Sequence, residues 1–324
     1  MASPRVSLVV PNWNGRELLE RNVPTWLAAS EQHGSAEVVV VDDASQDGSV
    51  NFLRERFGAA LRVVARLENG GFGRAASHGV EEARGELVAL LNSDVRPQPE
   101  FLSPLEEHFS DERLFSAAAW IADGGKGEGG RGVFLPSLRR GRIRYDHPKF
   151  APAAEYLART GGKPVVTLYG NGGNVMFRRD RFLALGGFDE LYAPYYYEDA
   201  DLGWCAWRHG WRSVVDPRSL VFHEHEGVIG TKLKKRSVKV TRVRNNYLCV
   251  WKNTFGRLWW TQALCQNLLR APLRVFGIHR TAMVQAWAAR HRVCAARRRD
   301  PELDTQALFT QIWREAREQL GDWL

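Results

Sequence analysis

Two acidic clusters hold the residues whose types and spacing suit chemistry. The first is Asn92-Ser93-Asp94, directly after the apolar run Glu86-Leu87-Val88-Ala89-Leu90-Leu91. A carboxylate at the exposed end of a buried strand can hold a divalent cation against a phosphate. The second, Glu198-Asp199-Ala200-Asp201, lies far along the chain. A carboxylate placed apart from the first can act as a general base. Together they point to metal-assisted group transfer from a nucleotide-activated donor. An Asn-x-Asp triplet alone is more often a turn or a helix cap, so the elements around it decide.

Those elements alternate. Arg5–Pro11 reads as a short apolar strand ending at the turn sequence Pro-Asn-Trp-Asn-Gly, and 17–29 as a helix with Leu18, Leu19, Val23, Trp26 and Leu27 on one face. Glu37–Val41 is a β-branched run of the kind buried on both faces. Helices over 50–57 and 73–83 and strands over 61–67 and 86–91 follow. This order predicts a mostly parallel sheet with helices on both faces. In such sheets ligands bind beyond the carboxyl ends of the strands. Asn12-Trp13-Asn14, Asp42-Asp43, Asn69-Gly70-Gly71 and Asn92-Ser93-Asp94 all fall at those ends.

Residues 123–132 read as a Gly-rich loop, and 136–164, with Arg139, Arg140, Arg142 and Arg144, as an aperiodic insertion. Strands are expected over 165–169 and 174–178. The aromatic run Tyr195-Tyr196-Tyr197 then leads into a helix from Glu198 through Trp211, whose first-turn carboxylates its dipole stabilises. Two short strands, 213–215 and 220–222, lead to His223-Glu224-His225-Glu226, and the chain beyond 231 reads as helical and basic.

Composition narrows the class. The 324 residues are 44% hydrophobic and 25% charged, as in ordinary globular proteins. Four cysteines without C-x-x-C spacing indicate neither a zinc site nor a disulfide framework, which suits a reducing compartment. A strand from Arg5 leaves no room for a signal peptide, and no apolar stretch approaches the roughly 18–20 residues of a membrane span. The expectation is a cytoplasmic protein, or one held peripherally on the inner face of the cell membrane. Residues 232–324 carry 19 Lys and Arg against 6 Asp and Glu, a net +13 beside +8 for the whole chain and −5 for residues 1–231. A basic tail region of this kind meets something anionic. There is no nucleic-acid-binding motif.

Each rim motif has two readings. Asp42-Asp43 either caps the following helix or accepts the imide N–H of a pyrimidine base. Trp13 either stacks on that base or packs in the core. Asn69-Gly70-Gly71-Phe72-Gly73 either lets backbone approach a ligand or serves a turn.

In order, Pro11-Asn12-Trp13-Asn14, Val41-Asp42-Asp43-Ala44-Ser45-Gln46-Asp47-Gly48-Ser49, Glu68-Asn69-Gly70-Gly71-Phe72-Gly73, Leu91-Asn92-Ser93-Asp94, Gly186-Gly187-Phe188-Asp189-Glu190 and Glu198-Asp199-Ala200-Asp201-Leu202 resemble the motifs of family 2 glycosyltransferases. The resemblance is to the bacterial rhamnosyltransferase-like branch and covers about residues 5–230. It implies a GT-A fold, a Rossmann-like mixed sheet, mostly parallel, with helices on both faces. It also implies inverting, metal-dependent transfer of a sugar from a UDP- or dTDP-linked donor. The acceptor would be a hydroxyl of a glycan or polyprenyl-linked molecule in bacterial surface polysaccharide synthesis. By resemblance Asp43 binds the base, Pro11 and Trp13 line the nucleoside pocket, and Asn14, Asn69, Gly71, Phe72, Asn92 and Ser93 complete the donor side. Asp94 holds Mg²⁺ or Mn²⁺ on the diphosphate with His223, His225 being the competing ligand. Asp199 is the base, with Gly172, Gly173 and Glu198 on the acceptor side. Asp201 reads as a hydrogen-bonding residue. Asn92 stands where the D-x-D motif has its first Asp, so metal binding rests on Asp94; Trp13 replaces a frequent Tyr.

The expected division is a catalytic domain over 1–231 (nucleotide-sugar binding 1–122, acceptor side 123–231) and a basic helical region over 232–324 that contacts membrane or acceptor. A nucleotide-sugar nucleotidyltransferase would need a Gly-rich, basic phosphate loop after the first strand, where Pro11-Asn12-Trp13-Asn14-Gly15 stands. A Rossmann dehydrogenase lacks its G-x-G-x-x-G. A non-catalytic glycan-binding scaffold on the same fold would have no use for Asp94 and Asp199.

Overall fold

The β-branched runs of the N-terminal half become central strands. In the computed structural model, which describes residues 3–122, 132–139, 142–146, 157–158, 161–223, 233–255, 277–297 and 304–320, β1 (Val6–Asn12) lies between β2 (Ala36–Asp42) and β4 (Leu87–Leu91), with β3 (Arg62–Ala65) outside β2, all parallel. Every residue of β1 and β4 is buried, as strands covered on both faces require. The sheet continues from β4 through β10 (Asn174–Arg178), β6 (Leu114–Ala122) and β11 (Arg212–His223) to β5 (Val95–Pro97), with β9 (Val165–Thr167) also on β11. Six of its nine strands, β1–β4, β6 and β11, run one way; β5, β9 and β10 run the other.

The chain moves outward from β1 to β3 through α1 (Arg16–His33) and α2 (Ser49–Phe57), then returns through α3 (Phe72–Glu82) to β4. Right-handed crossovers therefore put α3 on the face opposite α1 and α2. The reversal between β1 and β4 is where a ligand crevice forms at the strand ends. Helix α1 buries Leu18, Leu19, Val23 and Trp26, and the Trp26 Nε1 donates to the Val95 carbonyl at 3.0 Å. Helix α3 sits so close that a Cβ on Gly79 would lie 2.4 Å from Val9.

Three elements differ from the sequence expectation. The segment read as an aperiodic insertion contains the antiparallel pair β7 (Leu135–Arg139) and β8 (Arg142–Asp146). Five-residue strands studded with arginine carry little periodicity, and this ribbon is held from outside: Trp313 Nε1 donates to the Pro136 carbonyl at 2.8 Å, and the Tyr145 ring packs on Tyr169 at 5.2 Å. The two short strands expected around Pro217 are one strand, β11, with an irregularity between Asp216 and Leu220 that accommodates the proline. After α4 (Leu102–Glu107) and α5 (Arg179–Ala184), helix α6 (Glu198–Arg208) stops short of Trp211, because Gly210 at φ 76° reverses the chain.

Beyond the sheet lie α7 (Lys235–Asn253), α8 (Ile278–Ala288), α9 (Arg290–Arg297) and α10 (Thr305–Leu320). Helix α10 packs on the far edge: Gln319 accepts from the Val166 N–H at 2.6 Å, and Arg212 pairs with Glu315 at 3.0 Å. Most of the Gly-rich segment, Arg140, His225, Glu226, Lys232, Trp259, Trp260, Arg270 and Arg274 lie outside the described residues.

Candidate active site

The first rim residues shape one another. Asn12 Nδ2 donates to Asp42 Oδ2 at 2.9 Å, and Asp42 Oδ1 accepts from the Ser45 N–H at 2.8 Å, closing an Asx turn. Asp43 is buried, accepting from the N–H of Gly70 (3.0 Å) and Gly71 (2.8 Å), with Arg66 Nη1 at 3.0 Å. Neither acid caps α2; the Ser49 N–H donates to Asp47 Oδ1 at 3.1 Å. Pro11 lies buried in β1 opposite Val41, while Trp13 and Asn14 are half-buried beyond the strand. Asn14, at φ 50°, joins two loops: its N–H donates to Ser45 Oγ at 2.7 Å and its Oδ1 accepts from the Gln46 N–H at 2.8 Å. Asn69 Nδ2 donates to the Asp43 carbonyl at 3.2 Å. Gly71, at φ 81°, sits where a Cβ would be 2.6 Å from the Pro194 carbonyl oxygen, and the Phe72 N–H donates to that oxygen at 3.2 Å. The glycine loop is thus wedged between Asp43 and the segment leading to the second acidic cluster.

The Asn92-Ser93-Asp94 turn is fixed through its backbone. The Asn92 N–H donates to the Gly173 carbonyl, its own carbonyl accepts from the Val95 N–H, both at 3.0 Å, and Asn22 Nδ2 donates to the Ser93 carbonyl at 2.8 Å. A Cβ on Gly173 would lie 2.5 Å from the Asn92 side chain. Strand β5 follows at once and pairs Val95 with His223. That register sets His223 Nε2 3.1 Å from Asp94 Oδ2, with both side chains largely buried. Among the described residues no group of three or more His, Cys, Asp or Glu could hold a metal. One carboxylate and one imidazole nonetheless suit a Mg²⁺ or Mn²⁺ ion that takes its remaining ligands from substrate phosphates and water.

The second cluster enters its helix through a strained turn. Tyr196 and Tyr197 have φ 74° and 81°, a left-handed conformation unusual for bulky residues. Asp199 is half-buried; its Oδ2 accepts from the Gly172 N–H at 3.3 Å and its Oδ1 from the Ala200 N–H at 2.7 Å. Glu198 is buried, and its Oε2 has no hydrogen-bond partner among the described residues. Burial pushes the Asp199 carboxyl above its ordinary range. Burial, aided by the neighbouring Asp199 charge, pushes Glu198 up to about 8. The two acids face different clefts. Asp199 lines one of ≈ 270 Å³ with Tyr169, Gly172, Phe188 and Leu202, and Glu198 lines another of ≈ 240 Å³ with Gly70, Arg74, Pro194 and Tyr195. Trp204, on the same helix, is fully buried and stacks on Phe309. The wall beside Asp199 is formed by Tyr169, Phe188 and Leu202.

Asp201 is a hydrogen-bonding residue. It accepts from Tyr192 Oη (2.8 Å), Asn253 Nδ2 (2.7 Å) and the buried Lys252 Nζ (2.6 Å). Lys252 was not anticipated from the sequence, nor was Asn245. The signal was present: Asn245, Leu248, Cys249 and Lys252 share one helical face, all buried, so two polar residues interrupt an apolar stripe.

The model of glycosyl transferase family 2 matches residues 7–182, more than half of the chain. The chain belongs to glycosyl transferase family 2. The match to this family ends before Asp199 and His223. Curated relatives include the undecaprenyl-phosphate 4-deoxy-4-formamido-L-arabinose transferase of Edwardsiella ictaluri, 37% identical over 108 residues, covering 32% of this chain and 33% of that protein. The succinoglycan biosynthesis protein ExoO of Rhizobium meliloti is 33% identical over 119 residues, covering 37% and 32%. The chain spans about a third of the length of these relatives. Among solved structures, GalNAc-T7 with UDP, GalNAc and Mn²⁺ superposes with a TM-score of 0.63 at 15% identity, over 98% of this chain and 58% of that one. That likeness shows the GT-A glycosyltransferase fold.

Proposed function

We propose that this glycosyltransferase moves a sugar with inversion from a UDP- or dTDP-linked donor to a hydroxyl of a glycan or polyprenyl-linked acceptor. The observation that carries the reading is the Asn171–Gly173 turn. The Gly172 N–H holds Asp199, and the next residue's carbonyl holds Asn92. The two acidic clusters, remote in sequence, thus meet at adjacent residues. An enzyme acting on a donor diphosphate and an acceptor hydroxyl together needs this proximity.

Asp199 takes the proton from the acceptor hydroxyl as that oxygen attacks the anomeric carbon, and the bond from that carbon to the diphosphate oxygen breaks. Burial and the neighbouring Asp199 charge push Glu198 up to about 8, and the Gly172 and Ala200 N–H groups favour the ionised form of Asp199. Asp94 and His223 would hold Mg²⁺ or Mn²⁺ against the diphosphate, which supplies neutralisation of charge on the leaving group. Asp43 organises the donor pocket by fixing the glycine loop, and a uracil or thymine imide N–H reaching it competes with those amides. The motif resemblance favours rhamnose as the sugar, and the names of the relatives favour surface polysaccharide or polyprenyl-phosphate acceptors. Among the described residues no helix is long and apolar enough to cross a membrane. Exposed Lys234, just before α7, and Lys235, Arg236 and Lys239 at its start supply a cationic end for an anionic membrane surface or an acceptor pyrophosphate.

The test is release of nucleoside diphosphate from a panel of UDP- and dTDP-sugars, with and without Mn²⁺. Metal-dependent release is expected for one donor class. Asp199→Asn should reduce kcat by about 10²–10⁴-fold with donor affinity retained, and Asp94→Asn should weaken Mn²⁺-dependent donor binding. Silence across the panel, or full activity in Asp199→Asn, would sink the assignment.

A further inference from the structure

We infer that Asn245, with Lys252 on the same buried face of α7, is a positioning residue that holds the strained turn before α6 and thereby aims the Glu198 and Asp199 carboxyls. The inference rests on the proposed reaction for the task of those carboxyls, while the clamp itself is geometric.

Two consecutive tyrosines in the left-handed region cost on the order of 1 kcal/mol or more each, and such conformations persist only where the surroundings impose them. Here the imposing group is one side chain. The Asn245 Nδ2, fully buried, donates to the carbonyls of Tyr192 (2.7 Å), Tyr195 (2.9 Å) and Tyr196 (2.8 Å). An amide nitrogen has two hydrogens, so three carbonyls converging on it share them in bifurcated bonds. Neighbours on α7 reinforce the grip: Asn246 Nδ2 donates to Tyr197 Oη at 2.8 Å, Arg244 to the Ala193 carbonyl, and the Arg242 guanidinium lies 4.5 Å from the Tyr196 ring centre.

Lys252 closes the segment from the other side. Its buried ammonium donates to Asp189 Oδ2 at 2.8 Å and to Asp201 Oδ2 at 2.6 Å. These two aspartates bracket the stretch that contains the tyrosine turn, Glu198 and Asp199. Neither Asn245 nor Lys252 lines the clefts that Glu198 and Asp199 face. They act through the backbone of the segment that carries those acids. Helix α7 and the acid-bearing segment it grips both lie beyond the residues matched by the family model.

The experiment compares full-length wild type, Asn245→Ala and Asn246→Ala by donor turnover, nucleoside diphosphate binding with Mn²⁺, thermal melting and amide hydrogen exchange. Asn245→Ala should lower kcat by about 100-fold, the loss that misplacing a catalytic group by an ångström brings. Nucleoside diphosphate affinity should stay within about twofold of wild type, since Asn245 touches none of the donor rim. Exchange over 195–202 should quicken while β1–β4 stay protected. If Asn245→Ala does not fold, Asn246→Ala, which loses the hydrogen bond to Tyr197 Oη, should show the same pattern at about threefold. A variant that keeps wild-type kcat, loses affinity and kcat in proportion, or leaves exchange over 195–202 unchanged overturns the inference. Wild type that turns over no donor overturns the proposed reaction instead, and exchange still reads whether α7 holds the turn.

Discussion

Glu198 and Asp199 are adjacent in sequence yet open onto different clefts, and Glu198 has the heavier burial without a hydrogen bond to its Oε2. Its proton is therefore held more tightly in the folded chain than in the unfolded one, at about 8 against 4.5. The sign follows from linkage: its contribution to stability is full below about pH 4.5 and is lost as pH rises through about 8. Glu198→Gln should accordingly melt like wild type near pH 4.5 and above it near pH 9, by on the order of a few kcal/mol. Thermal melts of both proteins across that range check this; a Gln variant that is less stable at alkaline pH would contradict it. Asp199 keeps two backbone N–H donors, which oppose the upward push of burial. On the proposed reaction the neighbours have separate tasks, Glu198 holding a proton and Asp199 accepting one.

The glycine loop makes a close approach within the chain that its local sequence does not reveal. From sequence, Gly70-Gly71 suits a close approach of backbone to a ligand. In the fold the close approach is to the chain itself, at Pro194, while Asp43 holds the amides. Gly71→Ala would meet both a left-handed φ and a backbone oxygen 2.6 Å from the new Cβ. It should destabilise the protein by about 1–3 kcal/mol, seen as a lower urea midpoint at unchanged slope. Donor affinity should fall as well, because the same loop is fixed by Asp43. An unshifted midpoint would remove the loop from the set of elements that hold the two halves together.

Across the whole molecule the charge is divided, −5 over residues 1–231 and +13 over 232–324. One helix of that basic region nevertheless packs on the acid-bearing segment. Helix α7 buries Lys252, Asn245 and Asn253 against the acidic segment while exposing Lys235, Arg236 and Lys239 at its start. One helix therefore carries a cationic N-terminal end and a buried structural stretch. Binding to vesicles containing phosphatidylserine is expected at low salt and should fall away as salt screens the surface. Co-sedimentation at two ionic strengths checks this, and absence of binding at low salt would leave the cations to the acceptor alone.

By itself the sequence determined the alternation of strands and helices, the four polar strand ends on one rim and the resemblance to a glycosyltransferase family. These signals are local: β-branched runs, helical spacing, and glycine or asparagine at turns act over a few residues. Only the tertiary structure decided that His223 meets Asp94, because that depends on β5 pairing with the end of β11. It likewise decided that Trp204 belongs to the core, that Asp199 and Asn92 meet on one turn, and that Asn245 and Lys252 grip the acid-bearing segment. Each of these is a contact between segments far apart in the chain. Its geometry is set by strand register and helix packing, which no window of neighbouring residues encodes.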